Sequence, residues 1–568
     1  MSAPPTRATA ECQNVSKSTC RSRMSAPGSS VTSASGWRTC STTVATTDAR
    51  TTIPDAAWRR AFARAPGTRP GSSTPSRRHW FRTVTVPDAI RPVRVRRNRS
   101  PAGGRRAMMC RVSAPMPRWV AVVAAVVVAA VPVLLGGACS RVVPGDARAA
   151  TAPATAAISA VPPTGPASEV AATTVAALQE FWRQEFPAAF GREWTDITTF
   201  AAVATDDPDA TAPPCTNRAA DLADQAFYCP AADAVAWDAD GLMPLLQDRF
   251  GPAGVVVVLA HEVGHAVQTR LGIDAAQERG PQRYPTILLE AMADCYAGVA
   301  IAHLLEEPVA GLPLGPAERD DAMRALVGFR DPVGVEPGDQ SAHGNAFDRV
   351  SAFQDGHRDG AVRCAEMTVD NRTFTQRRFG SEADLARGGN LPLRDLLAFV
   401  EDDAGRWFTD LAPGRDAPRL SSGGACPPER LATQGPAAYC PDDGGVAVDL
   451  AAIEDVHREI GDFAAATLVA GRYGMAALDA VGTSPVGRPA GAGATCLAGA
   501  YTGRLLEAPD GFRLSPGDLD EAVQVLLLAD WVARDAEGAS DPAEHGFERI
   551  TRFRTGLLDG PAGCLPGR

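Results

Sequence analysis

One cysteine spacing occurs twice in this chain. Cys215 and Cys229 lie 14 residues apart, and so do Cys426 and Cys440. The second cysteine of each pair sits in a similar phrase, Phe227-Tyr228-Cys229-Pro230 and Ala438-Tyr439-Cys440-Pro441. Each phrase leads into a short alternating segment ending in Asp, at 234–238 and 446–449, which reads as a strand. Residues 251–272 align without gaps onto 461–482, and Cys295-Tyr296-Ala297-Gly298 answers to Cys496-Leu497-Ala498-Gly499. Phe347, Phe353, Gly356, Gly360 and Cys364 match Phe547, Phe553, Gly556, Gly560 and Cys564 at a constant offset of 200. A period this long predicts duplication of a whole domain rather than a solenoid of short units.

The cysteines follow the same pattern. Eight of the 13 fall into two sets of four. Outside the cytoplasm such sets are bridged, and four cysteines allow three connectivities. The favoured pairing is Cys215–Cys229 with Cys295–Cys364, then Cys426–Cys440 with Cys496–Cys564. The short bridge closes a loop before the first strand, and the long one ties a helix to the end of the domain.

In the first repeat the apolar run Val255–Ala260 feeds into His261-Glu262-Val263-Gly264-His265. Positions i and i+4 share a helix face, so His261 and His265 can hold one Zn²⁺ together. Glu262 lies about 100° around the helix from His261, beside the metal, where it can take a proton from water. A catalytic zinc needs a third protein ligand and an open position. Glu290 and Asp294 are again i and i+4, in an otherwise small and apolar segment that reads as a buried helix. Glu290 is the candidate third ligand. Asp294 is placed to accept the outer N–H of a ligand histidine, fixing its tautomer and raising its basicity.

His261-Glu262-Val263-Gly264-His265-Ala266-Val267-Gln268, Glu290 through Gly298, Phe227-Tyr228-Cys229-Pro230 and His343-Gly344 together resemble the bacterial putative neutral zinc metallopeptidase family. The resemblance covers about 175–368 and implies zinc, peptide hydrolysis and a mixed α+β zincin fold, with a HExxH helix and a later ExxxD helix. By analogy with thermolysin-like sites, His343 is a candidate oxyanion stabiliser. A His545-Gly546 pair stands nearby in the second repeat, two residues out of register, so a plain hydrogen-bonding role is the alternative. Also by analogy, the segment at 234–238 is expected to hold substrate by edge pairing.

The second repeat acts as an internal control. Opposite the HExxH pentad it has Gly471-Arg472-Tyr473-Gly474-Met475, and opposite Glu290 and Asp294 it has Gly491 and Thr495. Every residue assigned to metal or proton chemistry is replaced, while cysteines and glycines persist. The second copy is therefore expected to be inert and zinc-free, packed against the first. Arg472 is expected to draw a carboxylate or carbonyl partner.

Charge divides the chain differently. Residues 1–118 carry 22 Lys and Arg against 4 Asp and Glu, a balance of +18, and the remaining 34 basic and 62 acidic residues give −28. The acidic body argues against nucleic-acid binding. A composition of 45% hydrophobic and 21% charged residues excludes a polytopic membrane protein. Met116-Pro117-Arg118, an apolar run and Gly136-Gly137-Ala138-Cys139 form an export signal. A signal placed there suggests that 1–115 is a disordered basic leader outside the natural product, with the start at Met108, Met109 or Met116. The other reading is an internal signal anchor. The phrase ending at Cys139 resembles a lipobox, which makes Cys139 a candidate for lipidation.

These readings give an organisation of leader (1–115), export signal (116–139), flexible tether (140–170), metallopeptidase domain (171–368), linker (369–388) and inert repeat (389–568). The expected protein is an exported zinc peptidase acting on peptide or protein substrates. It is secreted or held at the outer face of the cytoplasmic membrane. A zinc-bound water would attack, with Glu262 as general base. The rival is a non-enzymatic surface-binding or regulatory protein on the same scaffold. A purely structural zinc site would leave Glu262 without a role.

Overall fold

In the computed structural model, residues 165–422, 426–507 and 512–565 are described, and all fall within one compact unit. The expected leader, the export signal with Cys139, and the tether up to 164 lie outside the described residues. Helix α1, Pro166–Phe190, begins inside the segment expected to be tether, with proline in its first turn where a missing N–H costs nothing.

Three strands follow, β1 (Thr199–Val203), β2 (Ala226–Cys229) and β3 (Ala234–Asp238). They form a sheet of order β1-β3-β2, with β1 parallel and β2 antiparallel to β3. This corrects the expected substrate edge. The segment Ala234–Asp238 is the central strand, buried along its whole length and hydrogen-bonded on both sides, so it has no free edge to offer. The free edge on one side is β2.

Helix α2, Leu242–Leu271, is interrupted at Gly251, whose φ of 62° is open to glycine, and Pro252 opens its second segment. After α3 (Ile273–Arg279) come α4 (Thr286–Glu306), α5 (Pro316–Gly328) and α6 (Ala346–Ala365). Helices α2 and α4 show little amphipathic pattern because other elements surround them. They are long and apolar enough to cross a membrane, yet 78% and 83% of their apolar windows are buried in the protein. Helix α4 lies between α2 and α6. Gly264, inside the HExxH pentad, sits directly against the Ala293 backbone, so a side chain there would push α2 and α4 apart.

The C-terminal half runs α7 (Glu382–Arg387), α8 (Leu393–Leu411), β4 (Leu420–Ser421), α9 (Pro428–Gln434), β5 (Ala437–Cys440), β6 (Gly445–Val448), α10 (Leu450–Glu459), α11 (Asp462–Ala480), α12 (Arg488–Glu507), α13 (Asp518–Leu528) and α14 (Gly546–Asp559). Its sheet has the order β4-β6-β5, with the outer strands again parallel and antiparallel to the middle one. Both halves are mixed α+β, rich in helix around a small sheet. The disulfides are Cys215–Cys229, Cys295–Cys364, Cys426–Cys440 and Cys496–Cys564.

The halves meet through exchanged helix caps. Asp320 on α5 accepts the N–H groups of Gly546 (2.5 Å) and Phe547 (3.0 Å) at the start of α14. Asp520 on α13 accepts that of Ala346 (2.8 Å), and also that of Phe347, at the start of α6. The expected linker is packed rather than loose. Buried Arg372 donates to Asp355 and to the Asp348 carbonyl, and Gln376 to Asp331.

Helices α4 and α6 touch backbone to backbone. A methyl at Gly298 would fall inside van der Waals contact of the Phe353 carbonyl, and one at Gly356 inside that of Cys295. Gly499 and Gly556 meet Phe553 and Cys496 in the same way. Gly356→Ala should therefore force the helices apart and destabilise the protein by about 1–3 kcal/mol, despite alanine's better helix propensity. Thermal or denaturant unfolding with the disulfides intact measures this.

Candidate metal centre and active site

The close approach of α2 and α4 at Gly264 brings three side chains together. His261 Nε2 lies 3.2 Å from Glu290 Oε2, and His265 Nε2 lies 3.7 Å from Glu290 Oε1. Ligand atoms of the three lie within 4.8 Å of one another. Tetrahedral zinc with bonds of about 2.0–2.1 Å requires ligand separations of about 3.3 Å, so this donor set fits zinc. Two imidazoles and one carboxylate also leave the fourth position that a catalytic zinc needs.

Each histidine is oriented from behind. The Nδ1 of His261 is 2.7 Å from Asp294 Oδ1, which leaves Nε2 facing Glu290. Asp294 is completely buried and is also gripped by Arg349, whose Nε and Nη2 donate to its two oxygens at 2.8 Å. His265 Nδ1 is 3.2 Å from Gln268 Oε1, and Gln268 is itself fixed by donating to the Leu289 carbonyl at 2.6 Å. The HExxH helix thus carries one of its own orienting groups three residues on.

The charges favour a cation among the donors. Burial opposes ionisation of Glu290, but His265 and His261 overcome it and hold the carboxyl well below its usual range. Burial likewise opposes charge on His261. Asp294 and Glu290 outweigh it and push the imidazole up to about 10 when no metal occupies Nε2. Burial also raises Glu262, offset by both histidines and by the backbone N–H of Tyr228 on β2. A carboxylate raised above its ordinary range is a better proton acceptor near neutral pH.

His343 is half-exposed on the loop between α5 and α6, near enough to Glu290 for the two charges to be felt mutually. Asp331 holds it. Its Oδ2 accepts the N–H groups of His343 and Gly344 at 2.8 and 2.9 Å, and its Oδ1 lies 3.4 Å from His343 Nδ1. The Asp331 contact raises the His343 pKa. His545 does a different job. It is the N-cap of α14, the place taken by Asn345 at α6, so the apparent correspondence between the two histidines dissolves.

The sequence named Gln268 and Tyr228 within motifs without giving either a role, and did not single out Asp331 or Arg349. Arg349 and Asp331 join the site only through tertiary folding. Gln268, three residues beyond His265 on one helix, was the recoverable one.

The corresponding place in the C-terminal half is filled. The guanidinium of Arg472 is buried and donates to the carbonyls of Ala437 (3.0 Å), Arg534 (2.7 Å), Gln434 (3.1 Å) and Trp531 (2.5 Å). Val532 and Ala533 press against Gly471 and Gly491. One other metal-capable trio occurs among the described residues, Asp462, Asp518 and Glu521. Its oxygens accept backbone N–H groups of Leu391, Ser515 and Phe463, around the starts of α11 and α13.

The geometry groups two histidines of one helix and a glutamate of a second as a set that could hold a metal ion. Residues 82–366 match the model of the family described as putative neutral zinc metallopeptidase, and the chain belongs to that family. The match starts well before the residue-175 limit set by the motifs. Zinc is the cofactor this family implies. The chain is 30% identical over 152 residues to an uncharacterized protein, Rv2575, of Mycobacterium tuberculosis strain H37Rv, covering 24% of this chain and 52% of that one. It is 29% identical over 150 residues to the uncharacterized protein YpfJ of Escherichia coli K12, covering 24% of this chain and 50% of that one. The matched stretch thus spans about half the length of these relatives. No solved structure matches the chain.

The full chain should bind one zinc ion, measured by elemental analysis after dialysis. Asp294→Asn should weaken zinc affinity by about 10–100-fold, because it removes the negative charge behind His261 and leaves one oxygen where His261 and Arg349 now share two. Competition with a chelator reads this directly.

Proposed function

We propose that the protein is an exported zinc metallopeptidase whose C-terminal half is a degenerate, zinc-free copy of its catalytic half. The observation that carries the peptidase reading is Glu262. It is buried beside a complete ligand trio, yet is not needed to complete that trio. A structural zinc site or a vestigial binding surface gives such a carboxylate no work.

His261, His265 and Glu290 would hold the zinc, which would supply Lewis-acid polarisation of the scissile carbonyl and lower the pKa of a water toward 7. Glu262 takes the proton of the attacking water and delivers it to the leaving amine. His343, steadied by Asp331, offers an N–H to the oxygen on which negative charge develops. An extended peptide would lie along β2, the sheet edge beside the base, since Tyr228 turns its N–H to Glu262 and away from β3.

The degenerate-copy reading is supported by the recurring sheet order, disulfides and glycine contacts, and by Arg472 with the 531–533 turn filling the place of the metal. Export is supported by the four disulfides, which persist in oxidising compartments. Tethering at the outer membrane face, through the segment around Cys139 or its lipid, belongs to the same proposal.

Glu262→Gln should retain stoichiometric zinc and lose about 10²–10⁴-fold in peptide hydrolysis, because the ligand set is untouched and the base is gone. His261→Ala should lose both zinc and turnover. A peptide library with mass-spectrometric detection, run beside metal analysis, reads both. Turnover retained in the Glu262 variant would sink the mechanism.

A further inference from the structure

The loop between α5 and α6 carries Asp331 and His343, and it is held at both ends by a residue of the other half. At its start, Arg330 Nε lies 3.2 Å from Asp520 Oδ2. At its end, Ala346 donates its N–H to Asp520 Oδ1 at 2.8 Å, and Phe347 donates as well. Asp520 is 3% exposed, in the first turn of α13. Between the two clamped ends, the Asp331 N–H donates to the Gly344 carbonyl at 3.0 Å, which closes the loop upon itself.

We propose that Asp520 is a positioning residue for the active site of the N-terminal half: it fixes both ends of the His343 loop and so sets where that histidine meets the substrate. This rests on the catalytic reading of His343 given above.

The mirrored contact shows why the two caps differ. Asp320 caps α14 as Asp520 caps α6, but the segment before α14 carries Trp531–Ala533, which packs into its own half. The Asp320 cap therefore holds structure alone. The Asp520 cap holds structure and also the loop that carries Asp331 and His343. Its carboxylate is suited to the task, because it answers a guanidinium and helix-terminal N–H groups together. Removing it would leave Arg330 without its ion-pair partner at one end of the loop and free N–H groups at the other.

The test compares full-length Asp520→Ala, Asp520→Asn and Asp320→Ala, with His343→Ala and the Asp520→Ala/His343→Ala double variant. Hydrogen exchange over 331–347 and kcat/KM on a cleaved reporter peptide are both measured. Asp520→Ala should speed exchange of the His343 and Gly344 amides. It should lower kcat/KM by about 10–100-fold, the scale of a misplaced catalytic group, with zinc content unchanged. In the His343→Ala background it should add little further loss. Asp320→Ala should speed exchange at the start of α14 and leave cleavage at the wild-type level. If the alanine variant does not fold, Asp520→Asn carries the comparison, since it breaks the Arg330 pair but keeps one acceptor.

Unchanged exchange at 331–347 in the Asp520 variants overturns the proposal, as does a loss of the same size with or without His343. A wild type that cleaves no peptide overturns the peptidase reading instead, and exchange alone then decides whether Asp520 sets the loop.

Discussion

Asp294 is the carboxylate on which the site depends. It is fully buried on α4, with His261 of α2 on one side and Arg349 of α6 on the other. One side chain thus links three helices and sets the tautomer of a metal ligand. Burying a carboxylate is costly unless its oxygens are answered, and here both are. Deleting one member of such a buried set costs about 3–5 kcal/mol, because the others are left charged and unpaired. The arrangement also sets a competition. Asp294 and Glu290 favour a cation at His261, and in the metal-free site that cation is a proton. Zinc must displace it, so metal affinity should fall as pH falls.

The grouping of the candidate ligands was legible in the sequence because they and Asp294 stand at helical spacing: His261 with His265, and Glu290 with Asp294. Each pair needs only its own helix to share a face. The disulfides were legible because two copies of one spacing leave few sensible pairings. What was illegible came from contacts between elements. The strand at 234–238 read as an edge because alternation reveals a strand, but not how many neighbours it has. It is central because β1 joins it on the side away from β2. Arg349 lies 55 residues beyond Asp294 and is found only by folding α6 onto α4. The caps made by Asp320 and Asp520 stand at the 200-residue offset, but each answers a helix of the other half. Alignment shows the recurrence of a residue and not its partner.

The C-terminal half keeps the same glycine contacts without the HExxH and ExxxD residues. The glycines at the helix crossings stay, since any side chain there meets backbone. Arg549 stays at the position of Arg349 although Thr495 replaces its aspartate, and it turns to the Leu526 and Glu544 carbonyls. Thr495 in turn satisfies its hydroxyl on the Gly491 carbonyl of its own helix. Polar groups that lost their partners found backbone acceptors, as buried donors must.

Glycine at 471 and 491, where the alignment sets His261 and Glu290, leaves room in the middle of a packed half, and an empty space there would be destabilising. Val532 and Ala533 fill it, and Arg472 binds that turn by its carbonyls. The same loop in the N-terminal half is held differently. Asp331 ties it to itself, and Asp520 ties both its ends to the other half. In the proposed peptidase, a cleft that admits a peptide cannot be closed by packing its own loop into it, so the loop needs an anchor elsewhere. In the proposed reading the C-terminal half supplies that anchor through Asp520, which gives a zinc-free copy a physical reason to stay attached to a catalytic one.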